Sequence, residues 1–368
     1  MIFRTSTKSL STVFQLLETV VPSRSPRPTL SNVKIETKED ETLEISGTDS
    51  EIAVRYVLED VIIDTPGIAS IPSANIATLL METSDQEISF SSDENRCEIQ
   101  STDGSYRFLT DDPHNFPFLP FIDTSNSTPL PYAQFLSGIR KTIFATAKEK
   151  TRFALNGLYF NMTATELEMV ATDGKRLSKI LIPISSPGDS IEKCNAILPK
   201  KAMDMLDKCN ITEDEITFEI SDNLVQFNLK NITICAKLVE GSFPNYQEVI
   251  PTGYTKQIKI DTGTLSSAVR RASLFTSEES RSIMFCVRED LLIIESKSEL
   301  SGEAKIQIPI EYSGEDTDIA LNPEFLGDVL RVSTDKDVCI EFMEANKPLL
   351  IRCGENYCNV IMPISPND

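Results

Sequence analysis

LEISGTDS (43–50), LEMVATDG (167–174) and LIIESKS (292–298) are three versions of one strand end. In each, an apolar alternating run enters a small polar turn, the pattern of a half-buried strand closing on a tight connection. Asp49, Asp173 and Lys297 occupy equivalent places, 124 positions apart each time. A second landmark follows in step. PSANIATLL (72–80), PKKAMDMLD (199–207) and PEFLGDVL (323–330) each set a proline before apolar residues at helical spacing. Proline suits a first helical position, where its missing N–H has no partner to lose. A third landmark opens each copy: Leu10, Val13, Phe14 and Leu17; then Leu136, Ile139 and Ile143; then Leu265, Ala268, Val269 and Ala272. Each set forms one helical stripe. Phe116-Pro117 and Phe243-Pro244 recur 127 apart.

The chain is therefore read as three copies of a helix–strands–helix–strands unit, over 1–122, 130–250 and 256–368. Turn-rich linkers lie around 122–130 and 250–256 (IPTGYTK). The fold class is α+β, with antiparallel sheets carrying two helices per domain on one face.

Composition narrows the function. The 368 residues carry 35 Lys and Arg against 56 Asp and Glu, a net charge of −21. Such a chain repels phosphates unless its cations are gathered on one surface. Eight cysteines run from Cys97 to Cys358 without a CxxC, and His114 is the single histidine. No metal set, Gly-rich phosphate loop or nucleophile–base pair emerges, so no cofactor, no metal and no enzyme activity is expected. The TDG turn at 172–174 becomes TDS and SKS in the other copies, so an acid there serves the turn. No apolar run approaches the roughly 18 residues of a membrane span. The first residues lack the apolar core of a signal peptide, so a cytoplasmic protein is expected.

The cations follow the helices. Lys141 and Lys148 are seven apart and are expected on one helix face, with Lys150 and Arg152 just beyond. Lys200, Lys201 and Lys208 oppose Ala202, Met203, Met205 and Leu206. Arg270 and Arg271 lie away from Leu265 and Val269, and Arg24 and Arg27 follow the first helix. A shared positive face of this kind meets phosphates without reading bases.

Five stretches resemble the bacterial sliding clamps, the DNA polymerase III beta subunit family: RPTLSNV (27–33), ATDGKRLS (171–178), VEGSFPNYQEVIP (239–251), LNPEFLGDVL (321–330) and YCNVIMPI (357–364). They fall in all three copies, in the family's order. The resemblance implies a ring-shaped head-to-tail homodimer with its sheets outside. Its helices line a pore threaded by double-stranded DNA, read without sequence preference. The implied partners are the replicative DNA polymerase, the clamp loader and other proteins with clamp-binding motifs. Helix spacing favours two chains. At about 8–10 Å between axes and about 10–12 Å per helix, six helices leave a hole of roughly 8 Å and twelve leave roughly 26 Å. Duplex DNA needs at least about 17 Å for two major-groove depths.

The resemblance also implies a partner-peptide pocket. Its members by motif position are Leu155, Thr172, Gly174, Lys175, Arg176 and Leu177, then Pro244 and Val249, then Asn322 and Phe325, then Val360, Met362, Pro363 and Ile364. An extended peptide with large apolar side chains suits such a cleft. Lys175 stands where the family often has His, Phe325 where it has Tyr, Glu248 where some members have Arg, and Ser280 where a bulky apolar residue occurs. Ser365 to Asp368 replace an Arg-Leu ending; the pocket is expected to survive these departures, and the sequence does not set its peptide preference. The implied dimer seam uses Tyr106 and Phe108 of one domain against Leu274 and Phe275 of another. The competing reading is a three-domain non-catalytic scaffold that does not encircle DNA.

Overall fold

The structure is a computed structural model and describes all residues except 94, 123–126, 149–153, 185–193, 210–213, 278–280 and 365–368. Six α-helices occur among the described residues: α1 (Thr7–Glu18), α2 (Ser73–Glu82), α3 (Tyr132–Thr142), α4 (Lys200–Lys208), α5 (Thr262–Ser273) and α6 (Pro323–Val332). The strands form two compact units, one of residues 1–133 with 201–238, the other of 134–200 with 239–368. All strand pairs among the described residues are antiparallel, and no described helix is long and apolar enough to cross a membrane.

The first unit holds two sheets. One runs Val61–Thr65, Ile2–Ser6, Glu87–Ser92, Arg96–Gln100, Ser105–Leu109. The other runs Thr128–Pro131, Glu215–Ser221, Leu224–Leu229, Ile232–Lys237, Ile52–Leu58, Leu43–Thr48, Asn32–Thr37, Ile68–Pro72. The larger sheet crosses from the first repeat to the middle one where Ala53 faces Cys235. α1 and α2 pack together, burying Leu10, Val13, Phe14 and Leu17 with Ile76, Ala77 and Leu80.

The second unit repeats the plan. Its large sheet runs Cys194–Pro199, Gly157–Met162, Glu166–Thr172, Arg176–Pro183, Tyr357–Ile361, Leu349–Arg352, Asp337–Phe342, Lys256–Asp261. The crossing to the third repeat falls where Leu177 faces Val360. The small sheet runs Gly302–Pro309, Leu291–Ser298, Ile283–Arg288, Thr317–Leu321, and α5 packs on its first two strands and on α6.

Two expectations are corrected. Of the three landmark prolines, only Pro323 takes the first helical position; Pro72 caps α2 in extended geometry, and Pro199 ends the strand before α4. α3 also stops sooner than its stripe predicts. Thr142 leaves helical geometry (φ −123°), and Ile143–Ala145 tighten into a 3-10 turn. The turn frees the Phe144 carbonyl, which accepts a hydrogen bond from the Arg176 guanidinium at 2.7 Å. The buried side of α3 is Tyr132, Phe135, Gly138, Ile139 and Thr142, with Leu136 and Ile143 of the expected stripe half-buried. A Cβ on Gly138 would sit 2.6 Å from the Met169 sulfur, so this helix approaches its sheet only because the residue is glycine.

Candidate functional site

The site grows from the turn between strands Glu166–Thr172 and Arg176–Pro183. The Thr172 hydroxyl donates to the Arg176 carbonyl (2.6 Å) and accepts the Gly174 N–H (3.1 Å). The Asp173 carboxylate accepts the N–H groups of Lys175 (2.9 Å) and Arg176 (3.0 Å). Gly174 holds a φ of +87°, the left-handed region that glycine enters without penalty. The turn leaves Gly174 and Lys175 exposed and folds Arg176 inward. The Arg176 guanidinium bonds Asp173 (3.0 Å), Asp328 on α6 (2.6 Å) and the Phe144 carbonyl, and lies 4.5 Å above the Phe325 ring. Its planar fork suits this convergence, which a lysine cannot reproduce.

The end of the chain forms the next wall. Val360 is 2 % exposed and Ile361 0 %, because their strand is paired on both sides. Beyond it, the Met362 N–H donates to the Lys175 carbonyl and the Ile364 N–H to the Ala320 carbonyl, both at 2.9 Å. Met362 is left 40 % exposed. A covering segment packs on the same sheet: Phe243 stacks on Tyr159 at 5.1 Å, and Tyr246 joins a buried cluster with Val170, Leu177, Leu350 and Val360. Val249, at the end of a 3-10 turn, is 50 % exposed. Leu155, Thr172, Leu177 and Val360 are each buried, and Leu177 and Val360 share one apolar cluster. Pro244, Phe325, Pro363 and Ile364 are half-buried, and Val249 and Met362 are open apolar surface. Asn322 caps α6 by accepting the Glu324 N–H (2.8 Å).

Beneath the covering segment, Lys179 bonds Glu168 at 2.6 Å and lies 5.4 Å above the Tyr246 ring. Burial opposes ionisation of Glu168, but hydrogen bonds from Lys179 and Tyr246 and the Lys179 charge together hold its carboxyl below the ordinary value. Burial, and then the same carboxylate, push the Tyr246 hydroxyl up. The motif positions did not disclose the roles of Asp328, Phe144 and Tyr159. Asp328 and Tyr246 do lie inside the stretches LNPEFLGDVL and SFPNY, so their signal was spacing rather than residue type.

The cations divide. Arg24, Arg27, Arg270 and Arg271 are exposed. Lys201 is ion-paired with Asp49, and Lys141 lies 5.4 Å above the Tyr357 ring, so both serve packing. Lys148 is exposed but lies past the end of α3, so it does not share a helix face with Lys141. Lys200 opens α4 and is half-buried. Lys150, Arg152 and Ser280 lie outside the described residues. The groove between α5 and α6, about 890 Å³, mixes Arg270, Arg331 and Lys336 with Asp261, Glu324 and Asp328. Tyr106 and Phe108 are half-buried on the edge strand Ser105–Leu109. Leu274 is 71 % exposed at the end of α5, with Phe275 half-buried beside it.

Three family models match in succession: the N-terminal domain of the DNA polymerase III beta subunit over residues 1–120, its central domain over 129–245 and its C-terminal domain over 247–365. A beta sliding clamp of Chlamydia pneumoniae is 30 % identical over 367 residues, covering 100 % of this chain and 99 % of the relative. The chain belongs to the beta sliding clamp family. The fold agrees. A sliding clamp of Pseudomonas aeruginosa superposes with a TM-score of 0.90 at 25 % identity, covering 99 % of each chain. The clamp of Bacillus subtilis superposes with a TM-score of 0.92 at 24 % identity, covering 99 % of each chain, a likeness of fold alone. The function is that of a sliding clamp, a non-catalytic processivity factor in DNA replication with a three-domain clamp fold.

Proposed function

We propose that two copies of this chain close head to tail around duplex DNA in the cytoplasm, with domains over 1–122, 130–250 and 256–368. One observation carries the ring. The chain makes the same joint twice, pairing the strand after a repeated turn with the last strand of the next repeat: Ile52–Leu58 with Ile232–Lys237, and Arg176–Pro183 with Tyr357–Ile361. The third strand of this kind, Gly302–Pro309, ends its sheet with no strand on its other side among the described residues. So does Ser105–Leu109, the last strand of the first repeat. Bare edges invite strand addition. Pairing Ser105–Leu109 of one copy with Gly302–Pro309 of another completes the series, and Tyr106, Phe108, Leu274 and Phe275 then meet as the seam.

In this reading Arg24, Arg27, Arg270 and Arg271 supply sequence-independent phosphate contacts, with Lys148, Lys150, Arg152 and Lys200 as further candidates. The floor and walls around Leu177, Val360 and Met362 receive short apolar segments of the replicative polymerase, the clamp loader and other partners. Lys201 and Lys141 are withdrawn from the contact set, because each is engaged within its own unit. The test is retention after loading. A ring stays on circular DNA and runs off the same DNA once linearised; equal loss from both forms rejects encirclement.

A further inference from the structure

The turn that shapes the partner cleft exists a second time, in the other unit. Between strands Leu43–Thr48 and Ile52–Leu58, the Thr48 hydroxyl donates to the Ile52 carbonyl (2.8 Å) and accepts the Ser50 N–H (3.0 Å). The Asp49 carboxylate accepts the N–H groups of Glu51 and Ile52, both at 2.9 Å. Ser50 takes a φ of +79° where the other turn has Gly174 at +87°. The neighbouring strand corresponds as well. Ala53 faces Cys235 as Leu177 faces Val360. The Lys237 N–H donates to the Glu51 carbonyl at 3.0 Å, as the Met362 N–H donates to the Lys175 carbonyl at 2.9 Å. A covering segment lies over both: Arg55 sits 4.5 Å above the Phe121 ring, and Lys179 sits 5.4 Å above that of Tyr246.

This second arrangement encloses a cavity of about 300 Å³. Its floor is apolar, with Ile52 and Ala53 each 2 % exposed and Cys235 1 %. Phe118 borders it and is 90 % exposed. The volume sits at the small end for ligand sites, the room of one large side chain rather than a folded partner. The rim differs in charge. Lys237 stands in the place of Met362 and Glu51 in that of Lys175, and neither is ion-paired among the described residues. An ammonium at the position of an apolar wall favours a ligand that carries a carboxylate beside its apolar anchor.

We propose that this cleft of the first unit is a second docking site, taking an extended peptide that sets one large apolar side chain against Ile52, Ala53 and Phe118 and a carboxylate against Lys237. The occupant's chemistry rests on reading the Leu177–Val360 cleft as a peptide site, since the two share one backbone frame.

The test uses the full-length dimer with methyl-labelled Ile, Ala and Val, titrated with the peptide acetyl-Gly-Asp-Leu-Phe-Gly-amide. Saturable shifts are expected at Ile52 and Ala53, separately from those at Val360. Lys237→Glu should weaken the Ile52 response about fivefold or more, and Phe118→Ala about thirtyfold. Both residues are exposed, and Val360 should respond as before. Shifts at Val360 with none at Ile52 and Ala53 overturn the second site and leave the first intact. Shifts at Ile52 that ignore both substitutions also overturn it. Silence at both clefts to millimolar peptide rejects both readings, whereas a response in the first unit alone upholds the second site and rejects the first.

Discussion

Leu274→Asp is the sharpest probe of the ring. In the lone chain this leucine is 71 % exposed. Burying a whole leucine side chain contributes about 1.5–3 kcal/mol, so sealing the exposed part contributes about 1–2 kcal/mol per seam. The aspartate forfeits that gain and strands a polar group in the contact, costing about 1–3 kcal/mol more on mutational scales. The loss is then about 2–5 kcal/mol per seam. A head-to-tail dimer has two equivalent seams, which doubles the loss to about 4–10 kcal/mol. At tenfold per 1.4 kcal/mol, the dimer dissociation constant should rise roughly a thousandfold or more. Sedimentation equilibrium at low micromolar concentration should report monomers near 41.0 kDa. Ile62→Asp serves as the control: Ile62 is 53 % exposed on Val61–Thr65, the opposite edge of the sheet that ends in Ser105–Leu109. It should leave the dimer intact. A Leu274→Asp protein that dimerises as tightly as the parent refutes the seam and the edge-pairing argument behind it.

Arg176→Met should cost about 3–5 kcal/mol, because Asp173 and Asp328 lose the guanidinium between them. Arg176→Lys should recover only part of this in urea unfolding, and equal stability of all three proteins would mean that the fork is idle. The depressed Glu168 carboxyl stabilises the fold above the unfolded glutamate value of about 4.3, and that contribution disappears as pH falls through the lower folded value. Lys179→Met should therefore lower the thermal midpoint at pH 7 and flatten its decline below about pH 4; parallel profiles would count against the pair. Reversing Arg24, Arg27, Arg270 and Arg271 to Glu should cut loading onto DNA and shrink its salt dependence while the dimer survives. Lys201→Glu should instead destabilise the first unit by setting two carboxylates together, so DNA loss without destabilisation in that variant would contradict the packing role.

The chain end shows why local reading has a limit. In the fold, Val360 and Ile361 sit between two strands with almost no exposure, so deleting them opens the sheet. A clean test of the cleft therefore changes Met362, which is exposed, and spares the strand.

The threefold repeat, the strand ends, two helices in each repeat and the family are legible in the residues alone. Those features rest on local periodicity and turn chemistry, which are written in neighbouring residues: Leu10, Val13, Phe14 and Leu17 make a buried stripe in any context that covers them. Tertiary structure decided which cations are free. Lys201 and Arg270 both read as helix-surface cations, yet one meets Asp49, 152 positions away, while the other is exposed. It also decided that α3 ends at Thr142, so that the Phe144 carbonyl in the following turn meets an arginine 32 positions later. Pairing over such separations depends on where sheets bring strands together, and no spacing along the chain encodes it.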